Sequence, residues 1–221
     1  MKKFLIIISS IFVFGCSSYS QNKKTVHNCR IKDSISDVEK YFEVDKYTDE
    51  LNKERSVKYL LKDSIEISIS IYKNDGLITK RLLNKNTNIV KKIEYGYDSK
   101  KIISCNFYYK KGGFKIGKEY FYDSSGKITK TINNDDPQNY SICYKEAEAI
   151  VMKKVGKKYE IENINRREEI INNKKVYFWS VIATIIGSRK YSDSKNFWLD
   201  SKTGKIIKVL KMRVSTNDYF K

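Results

Sequence analysis

Few side chains in this sequence could do chemistry of their own. A single histidine, His27, stands among 221 residues, so catalysis by paired imidazoles and His-rich metal sites are excluded on inventory. No Gly-rich phosphate loop, HExxH or paired CxxC occurs. Glu168 and Glu169 are adjacent. On a strand they face opposite sides and cannot form the carboxylate pair that glycoside cleavage needs. Asp135 and Asp136 are followed by no EF-hand spacing, so no metal is expected there. The expectation is therefore no catalytic residue, no metal and no cofactor, and hence not an enzyme. What remains is four cysteines: Cys16, Cys29, Cys105 and Cys143. Cys29 lies in a polar stretch and could stay a free thiol. Cys105 falls in a strand pattern and Cys143 in the first turn of a helix pattern. These two could pair in an oxidising compartment, or both could be small buried apolar residues; burial is the expectation.

The context of Cys16 is distinctive. Lys2 and Lys3 precede an apolar run, Phe4 to Phe14, broken only by Ser9 and Ser10. That run is shorter than the roughly 20 residues of a permanent membrane span, and reads as a leader over 1–15. Val13-Phe14-Gly15-Cys16 resembles the bacterial lipobox. The resemblance implies cleavage before Cys16, attachment of diacylglycerol to its thiol and acylation of the new amino terminus with a fatty acid such as palmitate. Such acyl chains would anchor the protein to the lipid bilayer outside the cytoplasm. With no acidic residue directly after Cys16, a periplasm-facing outer-membrane position is favoured if the cell has two membranes. Residues 16–56 read as a tether with a short helix, from the stripe Ile35, Val38, Tyr41 and Phe42.

Lys+Arg number 44 against 26 Asp+Glu, a formal charge of +18. Removal of Lys2 and Lys3 would leave +16. A charge this positive suggests nucleic acid; AT-rich coding, which favours Lys, Asn and Ile, is the plainer cause, and attraction to anionic lipid, lipopolysaccharide or an acidic partner the functional alternative. Export argues against nucleic acid, and no basic cluster is interleaved with aromatics as a base-stacking platform. The mean hydropathy of −0.57 excludes a polytopic membrane protein, and 40% hydrophobic residues exclude a disordered chain.

The elements that must position any site fall into two units, making an α+β chain. In 57–133, an antiparallel β-meander is expected. Ile65, Ile67, Ile69 and Ile71 alternate with polar residues, and Asn74-Asp75-Gly76, Lys111-Gly112-Gly113 and Ser124-Ser125-Gly126 mark turns. Tyr72, Tyr97 and Tyr122 recur every 25 residues, with Ile78, Ile103 and Ile128 in one register. The Y-D-x-x-G-x-I pattern resembles the tyrosine-Asp and MORN-like hairpin repeats of exported bacterial proteins. Residues 134–139, holding the one proline, Pro137, read as a linker.

Residues 140–221 read as a helix followed by antiparallel strands. Cys143, Ala147, Ile150, Val151 and Val155 form a helical stripe, ended by Gly156. Strands are expected over 159–171, 176–186, 196–200 and 206–210, with Gly204 supplying the positive φ of the last turn. The helix with Ala147 and Ala149, Gly156, Phe178-Trp179-Ser180-Val181, and Asp200 to Ile206 together resemble the PepSY domain. That likeness implies a non-catalytic module binding a protein or peptide, with peptidases as the modulated class. Trp179 and Trp198 are the candidate partner contacts, with core packing as the alternative. The same order is also similar to small NTF2-like immunity domains, which implies an alternative in which a periplasmic toxin is neutralised. An enzyme acting on envelope material is the third alternative. The implied partner is an envelope or exported protein, with no nucleic acid.

Overall fold

The computed structural model describes residues 29, 31, 35–43, 46, 47, 51, 54–61 and 64–212. Seven antiparallel strands follow one another as a meander: β1 (Ser56–Leu61), β2 (Ile65–Tyr72), β3 (Leu77–Asn84), β4 (Ile89–Gly96), β5 (Ile102–Tyr109), β6 (Lys115–Tyr122) and β7 (Ile128–Asn133). Helix α1 (Tyr144–Val155) leads into a second meander of β8 (Tyr159–Ile171), β9 (Lys174–Ile185), β10 (Ser194–Asp200) and β11 (Ile206–Lys211). The described residues are thus mostly antiparallel strands in two sheets, with one such helix.

Alternation sets the buried face of each strand. Ile67 and Ile69 of β2 are buried, as expected from the four-isoleucine run. The turns fall at the marked residues, and Gly76, Gly113, Gly126 and Gly204 all take positive φ. Tyr72, Tyr97 and Tyr122 all sit where turns begin at one end of the sheet, but their isoleucines are not equivalent. Ile71 pairs with Ile78, and Tyr95 with Ile102. Ile78 and Ile102 are therefore the buried pair, while Ile103 is 40% exposed. A register shift between Glu94 and Tyr95 moves the middle hairpin by one residue, and one residue inverts the side of a strand.

The stripe on α1 holds: Ala147 and Val151 are fully buried, and Gly156 caps the helix at φ 78°. The Glu146 carboxylate accepts the Cys143 N–H at 2.9 Å, satisfying one orphan donor of the first turn. Residues 31–56 differ from expectation. Among the described residues Val38–Lys40 form a 3-10 turn and Leu51 is helical, its N–H donating to the Tyr47 carbonyl at 2.9 Å; Val38 and Tyr41 are exposed, and Phe42 and Tyr47 are buried. Cys29, Ile31 and Ile35 also pack against the core, so these residues of the stretch expected as tether are docked.

One continuous hydrophobic core joins the two sheets. The hairpin between β5 and β6 abuts β8, where a Cβ on Gly112 would lie 1.9 Å from the Ile164 carbonyl oxygen. Only glycine permits that approach. The stretch 134–139 is pinned between the sheets. Asn134 N–H donates to the Gly117 carbonyl at 2.8 Å, and Gly117 N–H to Asp135 Oδ1 at 2.9 Å.

Candidate functional site

The alternation of β9 sends its two faces to different fates. Trp179, Val181 and Ala183 point to the helix side, and all three are buried. Trp179 is 1% exposed, and its Nε1–H donates to the Ile142 carbonyl at 3.0 Å. Its ring lies 5.6 Å from Phe114 and 5.0 Å from Tyr140. The Arg166 guanidinium stands over all three rings, 5.3 Å from Phe114 and Tyr140 and 5.6 Å from Trp179. It donates to the Asn134 carbonyl at 2.7 Å, and burial lowers its pKa. This aromatic box welds the two sheets together. Trp179 is therefore sealed in the junction and not presented to a partner.

Trp198 lies on the opposite face, because it pairs with Ser180 and not with Trp179. Among the described residues no helix packs on that side, yet Phe178, Ser180, Thr184 and Ser194 there are buried. Trp198 stacks on Phe178 at 4.5 Å with 24° between the rings, and Lys208 Nζ stands 4.4 Å above it. Around this stack the face is polar. Ser180 Oγ donates to Asn196 Oδ1 at 2.9 Å, and the hydroxyls of Thr184 and Ser194 share a hydrogen bond at 2.8 Å. Trp198 Nε1 is buried and finds no acceptor among the described residues. A half-buried indole on an aromatic base, with a cation and amides beside it, suits stacking and hydrogen bonding to a partner. The Thr184 hydroxyl also donates to Glu162 Oε2 at 2.5 Å. Glu168, at the sheet's far end, is engaged by Lys175 at 2.8 Å.

Two grooves lie elsewhere. One of about 520 Å³ runs between α1 and the β3–β4 turn, with Tyr109, Lys111, Lys145 and Glu148 on its walls. Burial raises the pKa of Glu148, opposed by Tyr109, whose hydroxyl donates to Glu148 Oε1 at 2.7 Å, and by Lys111 and Lys145. Burial and this carboxylate together push the Tyr109 phenol well above its ordinary value. A wider cleft of about 780 Å³ opens at the turn end of the seven-stranded sheet, beside Phe42, Arg55, Tyr72 and Lys100. Among the described residues no three His, Cys, Asp or Glu side chains are grouped to hold a metal. Asp135 and Asp136 are occupied locally, accepting from Gly117 N–H and from Asn139.

The cysteine chemistry differs from expectation. Cys143 is bonded to Cys29, with their Cα atoms 6.3 Å apart across 114 residues of sequence. Cys29 is thus not a free thiol, and Cys143 neither pairs with Cys105 nor sits as a plain buried residue. Cys105 is buried in β5, as expected of a small apolar side chain. Cys16 lies outside the described residues, as do leader positions 1–15. Among the described residues no helix is long and apolar enough to cross a membrane.

No family model matches this chain, and no curated protein matches it. Among solved structures, the C-terminal domain of Bacillus megaterium YpeB aligns with 83% of this chain and 68% of its own, at 16% identity and a TM-score of 0.25. A protein of Clostridium difficile 630 designated a lipoprotein aligns with 77% of this chain and 93% of its own, at 14% identity and a TM-score of 0.23. TM-scores this low carry no argument about this chain.

Proposed function

We propose that this chain is a non-catalytic lipoprotein held outside the cytoplasm through acylated Cys16, and that it binds a protein or peptide partner on the open face of its C-terminal sheet. The observation that carries the binding reading is the one-sided cover of that sheet. The helix packs on the face of Trp179, Val181 and Phe197, while on the other face Trp198 stays half-buried over the buried Phe178 ring with no helix above it among the described residues. The outer strand, β11, adds an unpaired edge to which an extended segment could hydrogen-bond. The PepSY-like order of helix, Trp strand and terminal hairpin supports the same class and points to an exported peptidase as the partner. The Cys29–Cys143 bond supports export, since such bonds persist in oxidising compartments.

Two measurements test the reading. Labelled palmitate should enter the wild-type protein and not its Cys16→Ser variant. Cross-linking in intact envelopes should recover one partner with wild type, and that partner should be lost with Trp198→Ala while Ile103→Ala retains it. Absence of label removes the anchor; equal recovery with Trp198→Ala removes the binding face.

A further inference from the structure

The hairpin of β8 and β9 is longer than the sheet that supports it. Strand β10 reaches only as far as the Asp200–Phe178 pair, yet β8 and β9 continue through Glu169–Val176, Ile170–Lys175 and Ile171–Lys174. Those last three pairs extend about 10 Å beyond any third strand, at about 3.3 Å per residue. The arm ends in Asn172 and Asn173, both at positive φ (49° and 59°), the backbone of a tight hairpin turn. Its tip is aliphatic: Ile170 is 78% exposed, the most exposed large hydrophobic side chain among the described residues, and Ile171 is 46% exposed. Lys174 and Lys175 lie directly across from them. Glu168 is engaged by Lys175 at 2.8 Å, and Glu169, next to Ile170, pairs across the strands with Val176.

Cys29, the first described residue, lies beside the base of this arm. Cys29 is bonded to Cys143, at the start of α1. Three residues earlier, the Tyr140 hydroxyl donates to the Arg167 carbonyl at 2.9 Å, and its ring lies 5.9 Å from Tyr177. Thirteen residues separate Cys16 from Cys29. Even fully extended they span no more than about 45 Å.

We propose that the β8–β9 tip is a second membrane contact, docking Ile170 and Ile171 into the anionic leaflet that carries the anchor, with Lys174 at its phosphates. The proposal rests on the anchored reading for its tether geometry. Charge complementarity selects the occupant: without Lys2 and Lys3 the chain carries +16, so the body is drawn to an anionic surface and the aliphatic tip is the part that can leave water there.

The test uses the mature chain carrying Cys16→Ser, so that no acyl chain contributes. It is mixed with vesicles of phosphatidylcholine containing one-third phosphatidylglycerol, and partitioning is measured by sedimentation. The Ile170→Asp/Ile171→Asp variant should partition at least about tenfold less, a loss in keeping with two aliphatic side chains leaving an apolar phase. Ile207→Asp/Val209→Asp, two residues of similar exposure to Ile171 on β11, should stay within about twofold of the parent on the same scale. Thermal unfolding confirms that each variant is folded. Equal partitioning of the tip variant, equal loss in the β11 variant, no binding by the parent, or equal binding to pure phosphatidylcholine each overturns the proposal. Palmitate labelling is read separately: a chain that takes no label yet docks through its tip keeps the arm and loses the anchor.

Discussion

The disulfide offers the sharpest quantitative test, because it closes a loop around the whole seven-stranded sheet. Cys29 and Cys143 are 114 residues apart, and the strands β1 to β7 all lie between them. In the chain-entropy description, closing a loop of that length removes about 16 cal/mol/K from the unfolded ensemble, or about 5 kcal/mol at 25 °C. The folded state needs the bond less than that figure implies, since Ile31 and Ile35 pack on the core independently of it. The stabilisation thus acts mainly through the unfolded chain. Replacing both residues, Cys29→Ser/Cys143→Ser, should lower the unfolding free energy by about 3–5 kcal/mol, a fall in Tm of about 10–20 °C for a chain of this size. Urea unfolding of the variant and of oxidised wild type measures it directly. The variant should also show a larger m-value, because its unfolded state is released from the cross-link. A loss under about 1 kcal/mol, or peptide mapping that recovers no Cys29–Cys143 pair, would refute the reasoning.

Three further outcomes follow from the packing. Trp179→Ala should cost about 3–5 kcal/mol by opening a cavity in the aromatic junction, whereas Trp198→Ala should cost about 1–3 kcal/mol; denaturant midpoints compare the two, and equal losses would contradict the opposite-face assignment. Gly112→Ala should destabilise by about 1–3 kcal/mol, since its Cβ would meet the Ile164 carbonyl and the Phe114 ring; an unchanged midpoint would show that the two sheets do not approach there. Glu148→Gln should raise Tm at neutral pH and leave it unchanged below about pH 4, because burial raises the folded-state pKa of this carboxyl above its ordinary value of 4.5. The stability held by its protonated form is complete below the unfolded value and is lost as pH rises through the folded one, so a variant that is always neutral keeps it; a Tm difference that grows toward acid would reverse the sign.

Local patterning made most of the elements legible. The isoleucine alternation of β2, the Ala-Val stripe of α1 and the Gly-marked turns are each written in fewer than fifteen neighbouring residues, and all appear in the structure. The short helix expected from Ile35, Val38, Tyr41 and Phe42 is confined to the 3-10 turn Val38–Lys40 for the converse reason. Tyr41 bridges to Lys101, and Phe42 N–H donates to the Lys100 carbonyl at 2.8 Å, so the sheet edge supplies backbone partners that a helix would otherwise provide itself. Register was equally hidden. The even spacing of Ile78, Ile103 and Ile128 carries no sign of the shift after Glu94 that exposes Ile103.

The candidate site shows the same boundary between local and distant information. Trp179 and Trp198 have the same residue type and similar apolar neighbours, and nothing nearby in sequence tells them apart. The deciding fact is a pairing parity: Trp198 lies opposite Ser180, so it shares the face of Phe178, while Trp179 lies opposite Leu199 and shares the face of α1. One residue of slippage between β9 and β10 would exchange the two roles. The Cys29–Cys143 bond is hidden in the same way, since a Cα separation of 6.3 Å is set by the docking of residues near Ile31 against a sheet that ends more than a hundred residues later. The inward tryptophan and the disulfide flank the start of α1, one donating to the Ile142 carbonyl and the other bonded at Cys143. The N-terminal segment and the two sheets therefore meet at one point. A covalent bond there fixes Cys29 and an aromatic box fixes the sheets, which leaves the half-buried Trp198 and the exposed tip of the longest hairpin outside that junction.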